Sequence, residues 1–577
     1  MDRKVLLAMV LIMVVLLADQ LLLSKFYRPR PKPTPSQQGG SPAPAESGRA
    51  DGAAGSGVQT GSGTRTGAGS VPASGTVAPG GALGSAPGSA QTAAAGAMAA
   101  RPRVPDEPIL EREIETDRFK ATFTTRGASI EHWVLDTYKD AIRKAPVDLI
   151  PPGARAFHVM VDAGDRSLDF SDTPFRLTAE SQMQGMLAFE AEDSSGIRVT
   201  KTFRLSADRR LLDADVRVAA PPEMGPIRYR IGWVAPLPLT ERYAKPAEIE
   251  AVALLGTKLE TVHAQKLGPG GEKTLPPGNV RWVASRSKYF IAAVVPDSGT
   301  VSDVVFRAAG PGAVAAWIAG SAPPGAEVAR HARIYAGPIH YETLAAVGSG
   351  LDEVANLGWQ WMRGVSVLML TLLNLLYKVF PNYGVAIIIL SAATKLLFYP
   401  LTQSSLRSMK VMHHLQPRIK ELQERHKGDA MKLNKAMMAL YKENKVNPMS
   451  GCLPMILQIP VFIALYNVLL FSIELRASGF VGYIQDLSAP DLLFTVAGFP
   501  IHLLPIVMTA STYLLQAQTP VAPAQKGMMY VMPLFMLFFM YTFPAGVILY
   551  WTVNNLLSAL QQYLVNLAED RKLAAQG

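Results

Sequence analysis

Lys395 stands alone as a charged residue in the apolar stretch VAIIILSAATKLLFYPLT, residues 385–402. A central Lys in a membrane helix costs roughly 2.5–3.5 kcal/mol on insertion scales, so its presence asks for a role. Ser391 lies four residues before it and Thr402 seven after, on one face of a helix. Similar polar stripes recur further on. Trp551, Asn555, Ser558 and Gln562 follow i, i+4, i+7, i+11; Thr509, Thr512 and Gln516 share a face; Gln458 adds an amide to another apolar segment. Lipid offers such groups no partners, so they face one another or water. The chemistry this permits is electrostatic: a fixed cation and hydrogen-bonding groups that hydrate a cavity and attract acidic groups. Two other readings of the same residues stay open. The stripes suit ordinary interhelical hydrogen bonding. Lys395, with its Cα about 10 Å deep if the helix leaves the membrane near Thr402, suits snorkelling to the headgroups. Asn467 lies roughly opposite Gln458, so the two do not line one cavity.

Covalent and metal chemistry find little support. His158, His263, His331 and His340 have no metal-ligand or catalytic spacing, and the single cysteine, Cys452, excludes an intramolecular disulfide. No GxxxxGK[ST] loop occurs. The expectation is a protein that is not an enzyme and has no metal or cofactor. Its energy would come from partitioning, the membrane potential or a partner.

The elements that must position these groups fall into zones. The 577 residues carry a net charge of +10. Residues 4–23 predict an N-terminal anchor, with a cleaved signal peptide as the rival reading; 24–105, rich in Gly, Ala, Pro and Ser, predict a disordered linker. Residues 106–345 predict a β-sandwich. In IRVTKTFRL, Ile197, Val199, Phe203 and Leu205 share one parity, with Lys201 the exception, and KYFIAAVVP (288–296) predicts a strand buried on both faces. Apolar runs predict spans at 383–402, 452–472, 492–516, 528–543 and 546–565, the last two separated by the FPAG break at 543–546. Between 403 and 448 lie ten Lys/Arg against four acids, which places that loop in the cytoplasm. With the N-terminus also cytoplasmic, parity makes 350–380 an interfacial amphipathic segment. The result is six spans, both termini cytoplasmic (517–527 a cytoplasmic loop, 566–577 the tail), and the β domain outside. The basic loop predicts a helical hairpin with Arg418, Lys420, Arg425 and Lys427 as docking cations, for lipid headgroups, ribosomal RNA or an acidic protein. Met528, Met529, Met532, Met536 and Met540 suggest an adaptable apolar client surface.

At 447–466, NPMSGCLPMILQIPVFIALY, the chain resembles the YidC/Oxa/Alb family of membrane protein insertases, in its long Gram-negative form. Pro454, Gln458, Pro460, Phe462, Ala464, Leu465 and Tyr466 carry the likeness. So do YPLT (399–402), LQP (415–417), MMALYKENKVNP (437–448), ELR (474–476) and FPAG (543–546), and, in the β domain, Trp282, Tyr289, Phe290, Pro296 and YAGP (335–338). The resemblance implies a multidomain membrane protein: an α-helical six-span bundle, whose five-helix core holds a hydrophilic groove, plus a periplasmic all-β sandwich. It implies that nascent membrane proteins are inserted, folded and assembled through that groove in the bacterial inner membrane. The Sec translocon, the ribosome and the signal-recognition-particle pathway are the implied partners, with no DNA among them. Lys395 occupies the place of the family's groove cation, usually Arg. A point-charge role survives that change; a bidentate carboxylate contact does not. A solute transporter or a membrane-anchored periplasmic carbohydrate-processing protein are the alternatives. Neither inverted repeats nor paired carboxylates in the β region speak for them.

Overall fold

In this computed structural model the structure describes residues 108–242, 248–310, 313–444, 453–518 and 526–574. The expected anchor (4–23) and linker (24–105) lie outside these residues, as does Cys452.

From Glu111 to Pro338 the chain is antiparallel β structure. A four-stranded sheet runs in the order Glu111–Glu115, Lys120–Thr124, Ser129–Lys139, Pro146–Asp148, beside a 14-stranded sheet. The strand Glu272–Arg286 joins the two layers of the larger sheet. Its first part pairs with Val301–Gly310, and its last part pairs with Glu250–Leu255 and Phe290–Pro296. The register breaks at Pro276 and Pro277, which have no N–H to give a ladder. Trp133, Trp233, Phe123, Phe157, Phe189 and Phe203 fill the space between the layers. Phe290–Pro296 is buried along its whole length.

Lys201 is the instructive core residue. It shares the buried parity of Val199 and Phe203 and is fully enclosed. Its Nζ donates to the carbonyls of Gly127 (2.7 Å), Phe157 (2.9 Å) and Ala128 (3.3 Å). All three acceptors have positive φ (72°, 64° and 42°), so tight turns aim their carbonyls inward and one ammonium satisfies them. Burial pushes that ammonium down to about 7.

Beyond the short helix Tyr341–Val347 the fold is helical. In order come α1 (Arg363–Val379), α2 (Tyr383–His414), α3 (Gln416–Arg425), α4 (Ala430–Glu443), α5 (Leu453–Phe471), α6 (Leu503–Gln518), α7 (Lys526–Met540) and α8 (Ala545–Ala574). Two boundaries differ from the sequence reading. Helix α2 runs past Thr402 to His414, because the apolar run stops there while helix-compatible residues continue; its 32 residues reach about 48 Å. The run 492–516 is not one helix. Phe494–Val496 and Phe499–Ile501 pair as a hairpin, and α6 starts only at Leu503. Gln360–Val379 and Tyr383–Met409 are each long and apolar enough to cross a membrane.

The β domain is seated firmly on the helices. Trp282, Ile291 and Tyr335 belong to one buried cluster with Leu344, Val354, Met369, Val468, Leu475 and Ile548. Polar contacts reinforce it. Arg476, after α5, donates from Nε to Glu241 at 2.5 Å and from Nη2 to the Lys139 carbonyl at 2.6 Å, with its guanidinium 5.3 Å from the Phe290 ring. His340 sits 3.6 Å from Glu474. A cavity of about 630 Å³, lined in part by Lys144, Glu241, Lys288, Tyr466 and Asp486, lies at this junction.

Candidate functional site

The polar groups of the helices converge on α8. Apolar packing orients that helix: Val547, Ile548 and Tyr550 are buried in the cluster shared with α5, which turns Asn554, Asn555 and Ser558 towards the facing helices. Lys395 on α2 donates from Nζ to Ser558 Oγ at 2.7 Å, and Ser558 Oγ donates to the Asn554 carbonyl at 2.7 Å. One and two residues further along α2, Leu396 and Leu397 are exposed. The cation therefore points into the bundle while its neighbours point away. Among the described residues no carboxylate lies within ion-pair distance of Lys395, so a hydroxyl is all that faces its charge.

Asn555 forms the second node. Its Nδ2 donates to Thr512 Oγ1 at 2.8 Å and to Ser511 Oγ at 3.1 Å, both on α6. The third is Gln458 on α5, whose Nε2 donates to Asn554 Oδ1 at 3.2 Å. A fourth lies further along α8, where Gln562 Nε2 donates to the Gln518 carbonyl at 2.6 Å. Two residues before Gln518 on α6, Gln516 Oε1 is a buried acceptor with no hydrogen-bond partner among the described residues. Helices α2, α5, α6 and α8 thus contribute to one polar column, held by neutral donors and acceptors around a single ammonium. Such a column offers an unneutralised positive charge and amides that exchange partners at small cost.

Several candidates sit elsewhere. Ser391 is fully buried and donates to the Ile387 carbonyl of its own helix at 2.7 Å; Thr402 does the same to Phe398 at 2.9 Å. Both satisfy themselves by back-bonding and leave Lys395 to α8. Trp551 packs edge-on against Phe462, with ring centroids 5.1 Å apart, as part of the core. Asn467 is buried away from the column, donating to the Ile463 carbonyl at 2.7 Å. Of the methionines, Met540 is buried, Met532 and Met536 are half-buried, and the Met528 side chain lies outside the described residues. The exposed apolar face of α7 is instead Tyr530, Val531, Leu534, Phe535 and Phe538. Ser511 and Asn554 were absent from the sequence reading. Asn554 sits beside Asn555, and helix periodicity gives no reason to choose both.

Helices α3 and α4 pack as a pair joined at Gly428, whose φ is 94°. Asp429 caps α4 by accepting from the Lys432 N–H at 3.0 Å. Arg418, Lys420, Arg425 and Lys427 are all exposed. They form a basic surface apart from the polar column.

Comparison with known proteins gives a consistent picture. Residues 375–572 match the family described as 60Kd inner membrane protein, and residues 111–363 the family described as YidC periplasmic domain. A protein named membrane protein insertase YidC from Syntrophus aciditrophicus (strain SB) is 33% identical over 598 residues, covering 98% of this chain and 99% of its own length. One of the same name from Geobacter metallireducens is 34% identical over 506 residues, covering 84% and 91%. A solved structure described as an active YidC insertase with the first transmembrane domain resolved aligns with 79% of this chain and 93% of its own, at 16% identity and a TM-score of 0.34. That likeness is too distant to bear on the site.

Proposed function

Because the chain belongs to the YidC family of membrane protein insertases, we propose that it inserts nascent integral membrane proteins into the bacterial inner membrane by drawing their polar tails into the column around Lys395. The observation that carries this reading is the Lys395–Ser558 contact with no carboxylate beside it. A client tail faces a barrier because its charged and peptide groups lose water in hydrocarbon. A groove lined by Asn554, Asn555, Thr512, Ser511 and Gln458 replaces part of that water and shortens the apolar path. Lys395 adds attraction. A carboxylate 4 Å from it gains about 4 kcal/mol at an effective dielectric near 20, against about 1 in water. Both are upper figures, since each ion also loses hydration. The client's apolar segment then leaves across exposed helix faces, among them the aromatic surface of α7, into lipid. No bond is made or broken.

The topology belongs to the same proposal: six spans, both termini cytoplasmic and the β domain periplasmic. Helix α1 would lie along the outer surface. Its exposed side mixes Leu368, Thr371, Leu375 and Lys378, which suits a water–lipid boundary. The basic surface of α3 and α4 would receive ribosome-bound chains delivered by the signal-recognition-particle pathway, and the protein would fold and assemble clients alone or beside the Sec translocon.

Purified protein in vesicles, given a single-span client with an acidic outer tail, tests the function. Protease protection of that tail is the expected result. No protection beyond that in empty vesicles would refute it. For the topology, single-Cys variants in a Cys452→Ser background should label from outside at residues 300 and 545 and stay unlabelled at 428. External labelling at 428 would overturn the span count.

A further inference from the structure

Between Leu492 and His502 the chain forms an apolar projection whose tip, Leu493 to Phe499, is exposed. Phe494–Val496 pairs with Phe499–Ile501, and Ala497 and Gly498 make the turn with φ of 48° and 83°, both left-handed as a tight two-residue hairpin turn requires. Phe494, Val496 and Phe499 are 53%, 54% and 59% exposed, with Leu493 bare beside them. No Asp, Glu, Lys or Arg occurs from Leu492 to Gln518. In water, an uncharged two-stranded hairpin with open edges and bare aromatic rings invites association.

Its position argues for a different solvent. The hairpin leads directly into α6, whose 16 residues reach only about 24 Å, short of a hydrocarbon core of about 30 Å. It is fixed to the end of α7 near the turn into α8. The Phe499 ring stacks on Tyr541 at 5.8 Å, Tyr541 Oη donates to the Pro500 carbonyl at 2.9 Å, and the His502 N–H donates to Tyr541 Oη at 3.2 Å. From there the bare apolar surface continues along α6 through Ile506 and Val507 and along α7 through Phe538, Phe535 and Leu534.

We propose that this hairpin lies in the outer leaflet of the bilayer, with Phe494, Val496 and Phe499 among phospholipid acyl chains just below the headgroups. Unpaired strand edges exclude it from the hydrocarbon centre. At the ester level, water and lipid carbonyls satisfy those edges, and aromatic rings are at home. The hairpin supplies the apolar depth that α6 lacks. This inference rests on the six-span reading above.

Full-length protein in phosphatidylethanolamine–phosphatidylglycerol nanodiscs tests it, with an environment-sensitive fluorophore on Phe494→Cys or Val496→Cys in the Cys452→Ser background. Leu514→Cys, on the exposed face of α6, is the lipid reference. Met183→Cys, on the β domain, is the water reference. The expected result at 494 and 496 is a blue-shifted emission relative to 183 and weak quenching by iodide. Quenching should be stronger from lipid carrying a nitroxide near the headgroup than from lipid carrying it near the chain end. Iodide quenching equal to that at 183 puts the hairpin in water and overturns the proposal. Protection from both iodide and nitroxide lipid means protein covers it, and overturns it equally. If Leu514 escapes lipid quenching, the six-span reading itself fails; if Leu514 is quenched and 494 and 496 are not, only the hairpin assignment fails.

Discussion

Replacing Arg476 by alanine removes the main polar link between the β domain and the helices. The side chains of Arg476 and Glu241 are only 4% and 16% exposed, so solvent screens the pair little. The truncation takes the guanidinium from the Glu241 carboxylate, which keeps the Thr240 hydroxyl, and from the Lys139 carbonyl, and it removes the cation above Phe290. Breaking a buried pair in this way costs about 3–5 kcal/mol, a factor of about 10²–10⁴ in an equilibrium. The sandwich keeps its own core around Trp133 and Phe203, so the loss falls on the junction. Hydrogen exchange of the full-length protein in nanodiscs should show faster exchange across 473–487, with the strands around Lys201 unchanged. Arg476→Lys should recover only part of the protection, because a single ammonium cannot reproduce the donor set. A double-mutant cycle with Glu241→Gln should give a coupling well above 0.5 kcal/mol, roughly the scatter of additive pairs. Unchanged exchange in Arg476→Ala, or coupling within that scatter, would refute the account of the junction.

Burial pushes the Glu474 carboxyl up from 4.5, with His340 opposing the shift. The folded state therefore holds this proton more tightly than the unfolded chain, and the contribution is full below pH 4.5 and lost as pH rises through the folded value. Glu474→Gln should flatten the corresponding decline in melting temperature; identical pH profiles for both proteins would contradict this. At position 395, Arg should be tolerated, while Ala or Glu should slow clients with acidic tails more than neutral-tailed ones. Equal slowing with the fold intact would favour a hydration or packing role. Ser558→Ala removes the hydroxyl that holds Lys395, a charged hydrogen bond worth about 1.5–3 kcal/mol, and should alter acidic-tail insertion selectively. No change in that selectivity would deny Ser558 a positioning role. Deleting 419–441 should impair insertion of ribosome-bound clients while the helices remain assembled; a normal rate would reduce the basic pair to a topology signal.

Much of this was legible where a residue contradicts its surroundings. Lys395 stands out because nothing near it is charged, and the stripe through Asn555 and Ser558 appears because polar groups in lipid must share a face. Lys201 likewise announces itself as the exception to a strand's parity. Its reason was hidden, since the carbonyls it satisfies come from turns 44 to 74 residues away. The β-domain junction was illegible for the same cause: Arg476 and Glu241 are 235 residues apart. Hydropathy alone joined the 494–501 hairpin to α6, because an apolar strand and an apolar helix look alike over so few residues. Gly498 and Pro500 were the available signals. Spacing also could not separate Trp551 as packing from Trp551 as lining, since both faces of α8 carry large side chains.

Photocrosslinking to a stalled nascent chain tests the central claim most directly. A crosslinking amino acid at position 395, 512 or 555 should capture the polar tail of a single-span client at an early length of the chain. The same probe at 396 or 397, one and two steps around α2 and exposed away from the column, should not capture that tail. Capture from 396 and 397 with none from 395, 512 and 555 would place the client's path outside the polar column and contradict the account.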